Sequence, residues 1–370
     1  MPEYAAISSP DLPAPEHGRI APPSFAAVDL GTNNCRLLVG TPTRDGFRVL
    51  DSLSRIVRLG EGLQASGRLS DEAMERAMVA LRCCTQRLAK RELRGLRAVA
   101  TEACRQAENG GAFLARIRQE TGLPVAAIST REEVELALES CAPLLAGDGR
   151  RALLFDIGGG STELAWVRLG EGTPRVIGHV SLPVGIITLS ERYGGAAQSE
   201  VGFAAMVDDV TARLRGFEAV HCIRHEIRQG GVRLLGTSGT VTTLAGVTLD
   251  LPRYSRAAVD GVVLLHREAS AALEKLRALG SAGRAAHPCV GPERADSVLP
   301  GCAIFAAIQH LWPAPQVVVA DRGLREGMLL RMMRAERSPA RRRPACGEAA
   351  MHGGGDSWRL PAMAHRPADA

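Results

Sequence analysis

Aromatic residues are scarce, at 4% of the 370 positions. Binding of single-stranded nucleic acid by base stacking needs aromatic platforms, so that class is set aside. There is no C-x-x-C pair. The nine cysteines (35, 83, 84, 104, 141, 222, 289, 302 and 346) are odd in number and irregular in spacing. Neither a disulfide framework nor a zinc site follows, and reduced thiols in a cytoplasm are the expectation. No apolar run approaches the ~20 residues of a membrane span. The first two dozen residues lack the basic start and apolar core of a secretory signal. G-x-x-x-x-G-K-[ST] and G-x-S-x-G are both missing, which removes the P-loop and the serine hydrolase elbow. G-x-G-x-x-A matches begin at Gly60 and Gly147, but neither opens a helix after a strand, and 40 glycines generate chance matches. His221 and His225 share a spacing of four without a third ligand, so no metal site is read there. A net charge of +5 over this length suits an anionic ligand without requiring one.

What is present is a phrase written twice. Phe25-Ala-Ala-Val-Asp29-Leu-Gly31-Thr32-Asn33-Asn34-Cys35-Arg36-Leu-Leu-Val39 returns as Leu153-Leu-Phe-Asp156-Ile-Gly158-Gly159-Gly160-Ser161-Thr162-Glu163-Leu-Ala-Trp-Val167. Each is an apolar strand, an Asp, a turn of small residues and a second apolar strand. Turns of Gly, Ser, Thr and Asn leave backbone N–H groups free to bind an anion. An Asp at the strand end can orient Mg²⁺, a hard cation that prefers oxygen. Two such hairpins facing each other would clamp a polyphosphate.

Around the phrases, strands and helices alternate. Strands are expected near 25–29, 35–40, 47–57, 125–128, 174–180, 233–236 and 317–320. Helices are expected after Ser70, a good N-cap, over 111–120, from 131, and over 184–192, 199–217, 266–278 and 293–312. Further helices are expected from 240 and from 323. The chain starts again at Asp148-Gly-Arg-Arg151. The fold class is therefore α/β with two similar halves. The expected division is a disordered leader over 1–24, a first lobe over 25–139, a second over 140–322, and a disordered basic tail over 336–370.

A third small-residue turn, Gly236-Thr237-Ser238-Gly239-Thr240, joins the two hairpins. The trio resembles the phosphate-binding turns of the actin, Hsp70 and sugar-kinase superfamily. Eight phrases in order narrow this: Asp29–Asn34; Ala100-Thr-Glu-Ala-Cys-Arg105 with Asn109; Ile128-Ser-Thr-Arg-Glu-Glu133; Asp156–Glu163; Ser181-Leu-Pro-Val-Gly185; Gly236–Thr240; Arg294-Ala-Asp296 with Pro300-Gly301; and Gly323-Leu-Arg-Glu-Gly327. On these the chain resembles the exopolyphosphatase and guanosine pentaphosphatase (Ppx/GppA) family over about 25–335.

That resemblance implies two ribonuclease H-like lobes of the actin-like ATPase type, an active cleft between them, and a last helix (323–335) packed back on the first lobe. It implies phosphate binding by Gly31, Thr32, Asn33, Asn34, Arg105, Gly158, Gly159, Gly160, Ser161, Thr162, Gly236, Ser238, Gly239 and Thr240. Asp29, Asp156 and Glu163 would hold Mg²⁺, with Mn²⁺ as an alternative. Glu133 would be the base for the attacking water, while Glu132, about 100° round the helix, would face away. Arg36 stands where Glu163 stands in the repeat, as a phosphate contact or as the partner of a carboxylate. The implied activity is release of orthophosphate from the end of inorganic polyphosphate by a cytoplasmic homodimer with no nucleic-acid or membrane partner. The alternatives are removal of the 5′-terminal phosphate of guanosine pentaphosphate (pppGpp) and a non-catalytic alarmone-binding module. Long processive grip is not implied, because the longer members' extra C-terminal helical region has no counterpart here.

Overall fold

Two runs of mostly buried residues, each folded back through a three- or four-residue turn, organise the molecule. The computed structural model describes residues 23–147, 149–170 and 172–337. The expected tail beyond 337 and the leader up to 22 lie outside them. The strands are β1 (Ser24–Leu30), β2 (Asn34–Thr43), β3 (Gly46–Ile56), β4 (Leu93–Ala100), β5 (Val125–Ala127), β6 (Arg151–Ile157), β7 (Thr162–Arg168), β8 (Arg175–Leu182), β9 (Val232–Thr237), β10 (Val263–Leu265) and β11 (Gln316–Ala320).

They form two mixed sheets. The first runs β3-β2-β1-β4-β5 and the second β10-β11-β9-β6-β7-β8. In the first, β1 pairs antiparallel with β2 and parallel with β4. In the second, β6 pairs antiparallel with β7 and parallel with β9. The five strands of the first sheet thus recur in the second as β8-β7-β6-β9-β11, and β10 is an added antiparallel edge. Such mixed sheets put helices on both faces, which is why their central strands carry continuous apolar runs such as Leu153-Leu154-Phe155.

Helices cover the outer face of each sheet. Asp71–Leu88 and Gly110–Thr121 bury Met78, Leu81, Phe113 and Ile117 against Val28, Leu37 and Val39. Glu200–His221, Gly239–Thr248 and Val298–Leu311 bury Met206, Leu214, Leu244, Ile304 and Phe305 against Leu153, Phe155 and Leu234. Ser70 caps the first of these helices, its Oγ accepting from the Ala73 N–H at 3.2 Å.

Two helices fill the space between the sheets. Thr130–Cys141 places Val134, Ala137 and Leu138 on Leu154, Ala165 and Val167 of the second sheet. Leu324–Arg337 places Met328, Leu329 and Met333 on Phe25, Ala27 and Leu38 of the first. They cross at Gly327, where a Cβ would overlap the Leu136 carbonyl. The division expected at 139/140 falls inside the last turn of the Thr130–Cys141 helix, and the chain passes to the second sheet over 142–151. The stretch expected as one helix over 293–312 is a 3₁₀ turn, Pro292–Arg294, followed by the Val298–Leu311 helix.

Candidate active site

The two hairpins are equivalent in register. Asp29 faces Arg36 across β1 and β2, and Asp156 faces Glu163 across β6 and β7. Both turns close in the same way: the Gly31 N–H donates to the Asn34 carbonyl at 2.8 Å, and the Gly158 N–H to the Ser161 carbonyl at 2.9 Å. The turns also meet. A Cβ on Gly159 would lie 2.9 Å from Asn33 Cβ and 3.0 Å from the Asn33 nitrogen, and one on Gly160 would lie 2.7 Å from Thr32 Oγ1. Only glycine allows this approach. Asn33 Oδ1 is buried there without a hydrogen-bond partner among the described residues. A buried acceptor without a donor calls for a water or a cation beside the turn.

Four carboxylates converge on this junction. Burial raises Asp156 to about 6, against the pull of Arg36 and with a push from Asp29. Burial and then Asp156 raise Glu163, although the hydroxyls of Ser161 (2.5 Å) and Ser181 (2.9 Å) both donate to its Oε1. Burial also raises Asp29, opposed by Arg36 and Arg325. Glu133 is raised well above the usual range by burial and then by Glu163, with Arg105 opposing. Among the described residues no group of three or more His, Cys, Asp or Glu forms a ready cage. The donors are nonetheless all hard oxygens whose negative charges penalise one another. That set fits a divalent cation held largely through its own waters.

Glu133 sits in the first turn of the Thr130–Cys141 helix, whose N-cap Ser129 accepts from the Glu132 N–H at 3.2 Å. The helical rotation sends neighbouring carboxylates apart. Glu132 reaches out to Arg97 at 2.7 Å, while Glu133, its side chain 14% exposed, turns inward to Arg105 at 2.8 Å.

Several residues expected to touch phosphate have other work. Arg105 is consumed by protein partners: its Nε and Nη2 donate to Glu102 (3.2 and 2.6 Å), and its Nη1 to Glu133 and to the Ile128 carbonyl (2.9 Å). Four of its five donors are engaged within the protein, and it holds Glu133 in place. Thr162 commits its hydroxyl to the Val184 carbonyl at 2.7 Å, and the Ser161 hydroxyl is committed to Glu163, so neither adds a side-chain donor. Gly236 lies within β9 between β6 and β11, against the Phe155 ring. Thr240 is buried against Gly301 of the Val298–Leu311 helix. Both are packing residues.

The third turn stands open at Ser238 and Gly239. Ser238 has φ 114°, a conformation that costs a non-glycine residue about 1–3 kcal/mol. Its Oγ accepts from the Thr240 N–H at 3.3 Å. Arg294 seals the base of this turn, donating to the Gly239 carbonyl at 2.7 Å and to Thr243 Oγ1 at 2.9 Å.

Sequence reasoning missed Glu102, Ser181 and the Arg325-Glu326 pair as site residues. Each lies inside one of the eight phrases, but its role depends on partners 3 to 70 positions away, such as Arg105 for Glu102 and Arg256 for Glu326.

Two lobes with the same five-strand order, carrying paired turns that face each other, define a ribonuclease H-like fold of the actin-like ATPase type. A family model for the Ppx/GppA phosphatase family matches residues 39–336. The chain belongs to that family. Solved relatives agree. The Ppx/GppA family member from Aquifex aeolicus is 27% identical over 85% of this chain and 99% of its own, with a TM-score of 0.70. An exopolyphosphatase-like protein is 29% identical over 85% and 99%, with a TM-score of 0.75. An exopolyphosphatase from Cytophaga hutchinsonii shares the fold at 24% identity over 84% and 98%, also with a TM-score of 0.75. No helix among the described residues is long and apolar enough to cross a membrane.

Proposed function

We propose that this phosphatase is an exopolyphosphatase, releasing orthophosphate from the end of inorganic polyphosphate in a metal-dependent hydrolysis. The observation that carries the reading is the contact between the turns at 31–34 and 158–161, with Asp29, Asp156, Glu163 and Glu133 gathered beside it. The free N–H groups of both turns would take the anionic oxygens of the chain end. Asp29, Asp156 and Glu163 would hold Mg²⁺ or Mn²⁺, which supplies charge neutralisation at the terminal phosphates.

Hydrolysis of a phosphoanhydride depends mainly on positioning and electrostatics. Glu133 accepts the proton of a water whose oxygen bonds to the terminal phosphorus. The bond from that phosphorus to the bridging oxygen breaks, and the bridging oxygen leaves with the shortened chain. A carboxylate whose proton affinity is raised by burial and then by Glu163 is a stronger base than one in water. Arg105, clamped by Glu102, keeps it aimed. On family resemblance alone, the reading includes a cytoplasmic homodimer.

The test is phosphate release from medium-length polyphosphate, with and without Mg²⁺ and with no acceptor present. Magnesium-dependent release is expected. Turnover of pppGpp alone by the same sample would move the assignment to the nucleotide, and binding without any release would make the protein a non-catalytic module.

A further inference from the structure

Arg325 lies in the first turn of the Leu324–Arg337 helix with its side chain only 18% exposed, and its guanidinium donates no hydrogen bond to any described residue. The nearest carboxylate is Glu326 at 3.8 Å, beyond hydrogen-bond range. Glu326 is itself occupied, accepting from Arg256 Nη2 at 2.7 Å and from the Gly323 N–H at 3.0 Å. A guanidinium carries five N–H donors, and burying them without acceptors is costly. Burial works most strongly against the charge of Arg325, Glu326 and Asp29 favour it, and the neighbouring cations Arg36 and Arg256 oppose it. Within the fold its charge is met only by the longer-range attraction of Glu326 and Asp29, and its donors make no hydrogen bond to a described residue.

Its position says which anion. Residues 322–323 are pinned to the third turn: Thr237 Oγ1 donates to the Arg322 carbonyl at 2.6 Å, and a Cβ on Gly323 would lie 3.6 Å from the same oxygen. On the other side, the charge of Arg325 acts on Asp29, beside the first turn. The start of this helix thus lies beside the third turn, and the Arg325 charge is felt at Asp29 next to the first, which places it at the edge of the cleft where the polyphosphate is placed.

We infer that Arg325 is a substrate contact, its unused donors taking oxygens of a phosphate in the bound chain. This rests on the polyanion reading of the cleft and adds a residue to it. Glu326 acts as the positioning residue, held by Arg256 so that it steadies Arg325 without pairing fully with it.

The experiment compares Arg325→Met and Arg325→Lys, each made in the Glu133→Gln protein so that ligand is not consumed. Affinity for tripolyphosphate is measured by calorimetry in Mg²⁺, and the melting temperature is measured without ligand. Charge-assisted, fork-like contacts to phosphate lead us to expect about 10- to 100-fold weaker binding in Arg325→Met, with Arg325→Lys in between. The ligand-free melting temperature should stay close to that of the parent, because no protein hydrogen bond is lost and the long 3.8 Å ion pair to Glu326 contributes little. Affinity within twofold of the Glu133→Gln parent overturns the inference. So does a loss of affinity matched by a fall in the ligand-free melting temperature, which would make Arg325 structural, or a shift in the Mg²⁺ midpoint alone, which would make it a support for Asp29. If the parent itself binds no tripolyphosphate, the cleft reading fails before Arg325 is tested.

Discussion

Replacing Glu133 with Gln separates catalysis from binding and folding, and the structure supplies each magnitude. The amide has nearly the shape of the carboxylate, and its oxygen can still accept from Arg105, which retains both bonds to Glu102 and its bond to Ile128. The local packing should hold. What disappears is a base, and positioned general bases contribute ~10²–10⁴ in rate. That corresponds to about 3–5 kcal/mol of barrier. The stability change has a definite sign. Glu133 is raised in the fold, so the contribution of its protonated form is full at low pH and is lost as pH rises through its folded value. The Gln variant suffers no such loss. It should match the wild type below the unfolded value of 4.5 and equal or exceed it at pH 8. Phosphate release at saturating polyphosphate and Mg²⁺, tripolyphosphate calorimetry and denaturation at the two pH values together make the assay. Turnover within tenfold of wild type would remove Glu133 from the chemistry. A fall in turnover explained by lost binding would make it a substrate contact instead.

Gly159→Ala should force the turns apart, because the new methyl would sit 2.9 Å from Asn33 Cβ. A misplacement near 1 Å can cost ~10²-fold in rate, whereas overpacking costs about 1–3 kcal/mol in stability. Kinetics and melting curves should show activity falling by at least about tenfold while the fold survives. Metal-free stability should also depend on Asp156. With a folded value of about 6 against 3.8, its contribution is full below pH 3.8 and lost as pH rises through 6. The loss is about 3 kcal/mol as an order of magnitude, because each pH unit between the folded and unfolded values corresponds to roughly 1.4 kcal/mol. Denaturant titrations from pH 4 to 8 should show a flatter profile for Asp156→Asn, and added Mg²⁺ should recover part of the wild-type loss.

The duplicated hairpins were legible because a strand, an acid and a small-residue turn are local patterns, and the sheets that carry them follow from the same alternation. Ser70 marked its helix start for the same reason. Three-residue β10 was not legible, since Val263–Leu265 is too short to show a period. The Ile223–Gln229 helix hid behind Cys222, whose left-handed backbone (φ 49°) ends the long helix before it and begins the new one. Pair identities were beyond reach of pattern. Arg105 reads as a phosphate ligand until Glu102 and Glu133 are seen to occupy it, and Thr240 reads as part of a turn until Gly301 is found against it. Arg325 passed unnoticed because its significance is the lack of a hydrogen-bond acceptor among the described residues, which a sequence does not record.

The central claim is that the two turns jointly hold a metal-bound polyanion. A crystal structure of the Glu133→Gln protein grown with tripolyphosphate and Mg²⁺ tests it most directly. The account predicts phosphate oxygens on free N–H groups of both turns at once, among residues 32–34 and 159–161, with the cation beside Asp29, Asp156 and Glu163. Tripolyphosphate bound elsewhere, or touching one turn while the other faces solvent, would contradict it.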